Sequence, residues 1–320
     1  MKLSYVVRNV KVDPGLVLAP MSGVTTSALR CLIKEYNPGA VGLVMSEFIS
    51  VEALTRKVPR ALKMLRYKEI ERPVALQIFG YDVDRMRDGA LMCQDAGADI
   101  VDINCGCPAP KVVRKGGGAE LMRQPEQLTK ILREVRRVLT VPLTIKIRAG
   151  WDQETRNALD IARMAESEGV DALAVHGRTR AQMYRGDADW NLVAQVKAGV
   201  SIPVSGSGDV TDEASAQQRL ESGVDGLYIG RGVLANPFIF SELTSGSRHE
   251  AHGHPIKTVA LIERYMDLLL EEFPAHAVLG RIKQIGSRMC RGMLWRKPLL
   301  LAQTLEAQRE ILSNVRQQVR

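Results

Sequence analysis

The chain of 320 residues has no apolar run of the ~18–20 uncharged positions that a membrane-spanning helix needs. Residues 1–13 alternate charges with short apolar pairs and hold no continuous apolar stretch, so no secretory signal is expected there. Cysteine is sparse: Cys31, Cys93, Cys105, Cys107 and Cys290 are five in number and form no CxxC pair. That excludes a disulfide framework and suits a reducing, cytoplasmic home. Only Cys105 and Cys107 lie close together, and no histidine stands at ligand spacing, so no metal site is expected. Aromatics make up 5% of the residues, which leaves the core to Val, Leu, Ile and Ala. Apolar residues at 45% and charged residues at 25% exclude disorder as the main state.

Charge is unevenly placed. The net charge is +8, from 44 basic and 36 acidic residues. Residues 1–245 hold 32 Lys/Arg against 29 Asp/Glu, and residues 246–320 hold 12 against 7. A basic C-terminal quarter suits a polyanionic partner, nucleic acid first. The competing reading is a solvated basic face that only aids solubility.

Eight short runs rich in β-branched residues recur at 16–21, 43–48, 74–80, 100–106, 143–150, 172–178, 202–208 and 226–232. Their starts are on average 30 residues apart, the length of one βα unit. The stretches between them read as helices. Residues 82–96 place Val83, Met86, Ala90 and Cys93 on one face behind an Asp82 cap, and 125–138 do the same with Leu128, Ile131, Val135 and Val138 behind Pro125. Residues 211–222 form a third helical pattern. Gly97-Ala98-Asp99, Gly169-Val170-Asp171 and Gly223-Val224-Asp225 each end a helical pattern through a residue expected to be left-handed. Pro73, Pro142 and Pro203 each stand just before a strand. This repetition predicts a (β/α)8 TIM barrel over residues 1–245. Residues 244–255, rich in Ser, Gly and His, read as a linker. A small all-α domain is expected over 246–320, with helices at 257–273 and 299–318 and residues 280–295 between them.

In such a barrel the chemistry collects at the C-terminal ends of the strands. There this chain places Pro20 and Met21, Gln77, Asn104, and Thr144, Lys146 and Arg148 on one face of a strand. His176 and Arg178 follow, then two Gly-rich ends, Ser207-Gly208-Asp209 and Gly230-Arg231. Gly-rich loops after the last two strands suit a phosphate, although tight βα turns also use glycine. Lys146 inside a barrel strand needs an anion, either a bound ligand or an internal partner such as Glu47 or Asp102. An isolated His176 reads first as a core histidine satisfied by backbone, and otherwise as a donor to a ligand. Cys107, between Gly106 and Pro108, sits at no packing position and suits a nucleophile or a general acid. Cys31, Cys93 and Cys290 read as inert, and Cys105 stays open.

Taken together, the motifs resemble a known family. They are Ala19-Pro20-Met21-Ser22-Gly23-Val24-Thr25, Asp102-Ile103-Asn104-Cys105-Gly106-Cys107-Pro108, Gly116-Gly117-Gly118-Ala119, Lys146-Ile147-Arg148, His176-Gly177-Arg178 and Ile229-Gly230-Arg231-Gly232. In this order they are similar to the flavin-dependent tRNA-dihydrouridine synthases, nearest to the bacterial B type. Arg281-Ile282-Lys283-Gln284 resembles part of that family's helical RNA-binding domain. The resemblance implies an FMN cofactor, NADPH as reductant, and uridine in tRNA as the substrate whose C5–C6 bond is saturated. It implies Cys107 as the general acid. Pro20, Met21, Gln77, Lys146, His176, Ser207, Gly208, Asp209, Gly230 and Arg231 would bind the cofactor. Asn104, Arg148, Arg178, Lys111, Arg281 and Lys283 would bind substrate. Ser207 stands where the family usually has Asn, and Thr26 where an Asp is common. A monomer without DNA or membrane partners is expected. Competing readings are an FMN barrel acting on a free pyrimidine, like dihydroorotate dehydrogenase, and an RNA-binding barrel without activity. A barrel isomerase or aldolase with a Lys146 Schiff base rests on fold analogy alone.

Overall fold

The computed structural model describes residues 3–318. Each of the eight runs contains one strand: β1 (Leu16–Leu18), β2 (Leu43–Met45), β3 (Val74–Phe79), β4 (Ile100–Asn104), β5 (Leu143–Arg148), β6 (Ala172–His176), β7 (Val204–Ser207) and β8 (Gly226–Ile229). All pair in parallel with their sequence neighbours, and β8 returns to β1, so the sheet closes as a TIM barrel. The two-residue strand Ile49–Ser50 extends the β2 side against β3.

The outer helices are α1 (Ser27–Tyr36), α2 (Val83–Asp95), α3 (Pro125–Val138), α4 (Ala158–Ser167), α5 (Trp190–Ala198), α6 (Glu213–Leu220) and α7 (Ile239–Ser245). Asp82 caps α2 by accepting from the Arg85 N–H, and Thr26 caps α1 from the Leu29 N–H. A threonine therefore keeps the capping function at this position. The regular alternation lapses after β2, where two five-residue helices, Val51–Thr55 and Pro59–Lys63, stand in place of one long one.

The repeated Gly-x-Asp joints act as staples between strand pairs. Gly97, Gly169 and Gly223 have φ of 87°, 82° and 74°, which a residue with a Cβ adopts only at a cost. The following aspartates reach back to the strand before. Asp99 accepts from the Val74 N–H, Asp171 from Leu143 and Asp225 from Val204, at 2.7–2.8 Å. The same three strand residues accept the aspartates' own N–H groups. Pro73, Pro142 and Pro203 immediately precede the stapled residues.

The bottom of the barrel is closed by a hairpin of two short strands, Tyr5–Val7 and Val10–Val12. Val7 and Val12 pack on Val17, Leu43, Ala75, Ile100, Ala172 and Tyr228 inside the barrel. The open end is therefore the opposite one, where the strands finish.

Beyond the barrel come α8 (Pro255–Glu272), α9 (Ala275–Met289), α10 (Arg296–Leu301) and α11 (Leu305–Gln318). Three sequence expectations are corrected here. Residues 280–295 are not a connector, because most of them belong to α9, whose Val278, Ile282, Ile285 and Met289 are buried. The predicted helix over 299–318 is broken after Leu301, and Thr304 caps the next helix from the Ala307 N–H. Residues 244–255 are not a free linker: His249 stacks on Phe238 at 4.4 Å, His252 bonds Glu242 and Ala251 is buried.

The helical region shares one core with the barrel. Leu261, Ile262, Tyr265 and Leu269 of α8 join the cluster that holds Leu29, Leu32 and Ile33 of α1. Arg264 bonds both carboxylate oxygens of Glu35, at 2.8 and 2.6 Å. Nearby, fully buried Glu71 accepts from Ser27, Arg30 and the Lys68 N–H, while Arg30 also donates to the carbonyls of Thr25 and Arg66. This pair fastens α1 to the segment ahead of β3. Arg30→Ala strands the Glu71 charge in the interior and should cost about 3–5 kcal/mol, read as a shift in the urea unfolding curve.

Candidate active site

Alternation along the strands sends every second residue into the barrel. The lower inward layers are apolar, and the upper ones are polar. Cross-strand register sets Gln77 beside Asp102, Asp102 beside Thr144, and Asn104 beside Lys146. Arg148 lies beside His176, and His176 beside Ser207. The expected residues of five different strands thus meet in one ring at the open end.

A chain of side-chain hydrogen bonds runs through this ring. Thr144 Oγ1 and Gln77 Nε2 donate to the two oxygens of Asp102, each at 2.6 Å. Asn104 Nδ2 donates to Gln77 Oε1 at 2.8 Å. Asn104 Oδ1 then accepts from the N–H groups of Cys107 at 2.8 Å and Gly106 at 3.2 Å. Burial raises the Asp102 carboxyl to about 6, against the pull of its two donors and of the Lys146 charge.

The Cys107 loop is held from several sides. Arg148 Nε donates to the Gly106 carbonyl at 2.7 Å, and the Ala119 N–H donates to the Cys107 carbonyl at 3.0 Å. Gly118 has φ of 61°, and a Cβ there would meet the Cys107 carbonyl oxygen at 2.6 Å. Glycine is required at this close approach. Cys107 is partly exposed, whereas Cys31, Cys93, Cys105 and Cys290 are buried. Burial raises the Cys107 thiol above its ordinary value; the Ala109 N–H and the charges of Arg148 and Lys111 work the other way. The thiol therefore carries its proton at neutral pH, with cations nearby to receive the thiolate.

Lys146 has no hydrogen bond or ion pair among the described residues. The internal salt bridge weighed from sequence is not formed: Glu47 accepts from the Gly23 N–H and Asp102 is engaged by Gln77 and Thr144. Burial, reinforced by Arg148, lowers the ammonium to about 8, opposed only by Asp102. His176 is also not a backbone-satisfied core histidine. Its Nε2 lies 3.3 Å from Arg178 Nη1. Burial, together with the charges of Lys146, Arg148, Arg178 and Arg231, holds it well below the ordinary histidine value, so the ring is neutral. A guanidinium only donates, which makes Nε2 the acceptor and leaves the proton on Nδ1.

Two arginines expected to touch substrate bond several protein groups. Arg178 donates to both oxygens of Asp209, at 2.7 and 2.8 Å, and to the Arg185 and Gly186 carbonyls. Arg148 also donates to the carbonyls of Thr179 and Met183. Both are buried and brace the loop after β6. Arg281 donates to the Gly23 carbonyl at 3.3 Å and lies 3.9 Å from the Phe273 ring, tying α9 to the loop after β1. Lys111 is exposed and Lys283 half-buried, and neither has an acidic partner among the described residues.

The ends of β7 and β8 gather an anion-binding patch. Among the described residues the Ser207 hydroxyl has no partner, and the N–H groups of Gly208, Asp209, Gly230 and Arg231 donate to no carbonyl. The Asp209 carboxylate turns away to the Ala188 N–H and Arg178, leaving its backbone to face the patch. Arg231 lies over the Tyr184 ring at 4.7 Å. Gly230 lies near Met21 and Ala19, since a Cβ there would come within 3.7 Å of both. Sequence reasoning missed Tyr184, an exposed aromatic on the loop that Arg148 and Arg178 anchor. Its only signal was an aromatic residue in a chain with few. It placed Asp102 and Thr144 at the strand ends but gave neither of them a binding or catalytic role, although the two bond each other and Asp102 also bonds Gln77.

The unpaired lysine, the free hydroxyl and the free N–H groups fit a ligand with an anionic ring edge at one end and a phosphate at the other. The family model "Dihydrouridine synthase (Dus)" matches residues 17–319. The chain is 40% identical over 290 residues to tRNA-dihydrouridine synthase B of Pseudomonas putida, covering 90% of this chain and 82% of that one. It is 37% identical over 269 residues to a probable tRNA-dihydrouridine synthase of Rickettsia bellii, covering 83% and 80%. Among solved structures, morphinone reductase shares the fold with a TM-score of 0.57 at 15% identity, covering 78% of this chain and 92% of that chain. On this sequence match and this barrel, the chain belongs to the dihydrouridine synthase family.

Proposed function

We propose that this chain reduces the C5–C6 bond of uridine in tRNA, with FMN as cofactor and NADPH as reductant. The observation that carries the reading is the pairing of unpartnered Lys146 with a protonated Cys107 at the same barrel mouth, in a chain of this family. Pro20, Met21, Gln77, Lys146 and His176 would hold the ring of the flavin, and Ser207, Gly208, Asp209, Gly230 and Arg231 its phosphate. When bound, the flavin supplies a hydride for C6. The Lys146 ammonium favours negative charge at the ring edge. Neutral His176 offers its Nδ1 proton as a donor. The Cys107 thiol gives its proton to C5, and the resulting thiolate is stabilised by the Ala109 N–H and by Arg148. Asn104 and the braced Arg148 and Arg178 shape the pocket for a uracil lifted from its stack, a step that costs a few kcal/mol.

The helical region would carry much of the tRNA contact, as the division at residue 245 implies. Arg288, Arg291 and Lys297 are exposed, and the ion pairs of that region occupy other cations: Lys257, Arg264, Arg309 and Arg316. Lys111, Arg114 and Lys115 beside the Cys107 loop would add backbone contacts. The first test is a visible spectrum of the purified protein with anaerobic NADPH. Flavin bands that bleach support the reading, and a colourless protein that takes up no FMN removes it.

Cys107→Ala should keep the flavin bands and their bleaching while tRNA reduction falls about 10²–10⁴-fold; single-turnover assays separate the two steps. Alanine at Arg288, Arg291 and Lys297 together should flatten the slope of log binding constant against log salt by roughly 2–3, measured by filter binding of tRNA. Lys146 sets a pH response in the flavin-free protein. Its ammonium is at about 8 when folded and 10.5 as the ordinary value, so between these the unfolded chain binds the extra proton and stability rises with pH. Lys146→Met should remove that rise and raise stability at pH 7, while weakening FMN binding. Urea midpoints at pH 7 and about pH 9.5 read it directly.

A further inference from the structure

We propose that Asp102 is a positioning residue that sets the donor–acceptor direction of the whole relay from the barrel interior to the Cys107 loop, with Thr144 as its adjustable partner. An ionised carboxylate only accepts. Gln77 must therefore turn Nε2 toward Asp102, leaving Oε1 for Asn104. Asn104 must then offer Nδ2 to Gln77, which leaves Oδ1 for the N–H groups of Gly106 and Cys107. Those backbone groups only donate, so both ends of the chain are fixed and the two amides between them have one satisfying orientation. A donor facing Gln77 from position 102 would reverse both amides and set the Asn104 NH2 against two N–H groups. The loop would then lose the contact that holds it, because buried donors left unmatched are costly.

Thr144 gives the device its distinguishing signature. Its hydroxyl donates to the second Asp102 oxygen at 2.6 Å, but a hydroxyl can rotate to accept. With Asp102→Asn alone, the new NH2 can face Thr144 and the oxygen can still face Gln77, so the relay survives. With Thr144→Val alone, the carboxylate still accepts from Gln77. Only the double variant leaves the new NH2 without an acceptor unless the relay reverses.

The catalytic consequence rests on Cys107 as proton donor, whereas the relay itself does not. Cys107 is the one partly exposed thiol among the described cysteines, so iodoacetamide alkylation of the holoenzyme reports on its loop. Each single variant should alkylate within about twofold of the native rate. The double variant should alkylate about tenfold faster, a coupling typical of side chains in one network. Its kcat on tRNA should fall while KM changes little. Alkylation rates in the double variant equal to the product of the singles would overturn the proposal. So would an Asp102→Asn variant as fast as the double, since charge rather than acceptor direction would then be responsible. Coupled alkylation with an unchanged kcat would uphold the relay and remove the acid role of Cys107. Near-isosteric substitutions keep the fold, and melting curves of all four proteins verify it.

Discussion

Lys146 projects into a closed barrel with its ammonium unpaired, and the rest of the upper layer is arranged around that charge. The side chain is partly exposed at the mouth, yet its surroundings lower the ammonium to about 8. The neighbours do not relieve it. His176 is held neutral, Asp102 is taken by Gln77 and Thr144, and Glu47 is turned to the Gly23 N–H. The free hydroxyl and N–H groups at the ends of β7 and β8 offer a second locus for an anion.

At the mouth, rigidity comes from charged groups bonded to backbone as well as from the Arg178–Asp209 ion pair. Arg148 and Arg178 place their guanidinium groups on the carbonyls of four loop residues and Gly106. Asp209 and Asn104 do the same for N–H groups. Loops over a barrel mouth are the variable part of this fold, and here each is fastened to a strand-borne side chain. This arrangement holds the Cys107 loop in place at the barrel mouth.

The helical region belongs to the same physical body as the barrel wall. Its α8 covers α1, and Arg281 reaches from α9 to the loop after β1. That contact sets α9 beside the mouth. A macromolecular substrate bound to the helical region can present one base to the ring without the barrel itself having to grip the whole molecule.

The periodic features of the sequence determined the fold. Eight β-branched runs at near-constant spacing, three Gly-x-Asp joints and the caps at Asp82 and Thr26 act over a few residues, so their physics is local and readable. The same local logic aligned Thr144, Lys146 and Arg148 on one face and singled out Cys107 as a loop thiol. What failed were readings that depend on distant partners. The helix α9 was missed because its buried face forms only against distant partners, α8, α10, α11 and residues 231–235. The carbonyls that Arg148, Arg178 and Arg281 meet were not foreseen, since nothing in sequence announces them. The tertiary structure alone decided that Lys146 is unpaired, that His176 is neutral and that Asp102 faces Gln77. Each of these turns on which side chains of neighbouring strands, far apart in sequence, are set side by side at the barrel mouth by the register of the sheet.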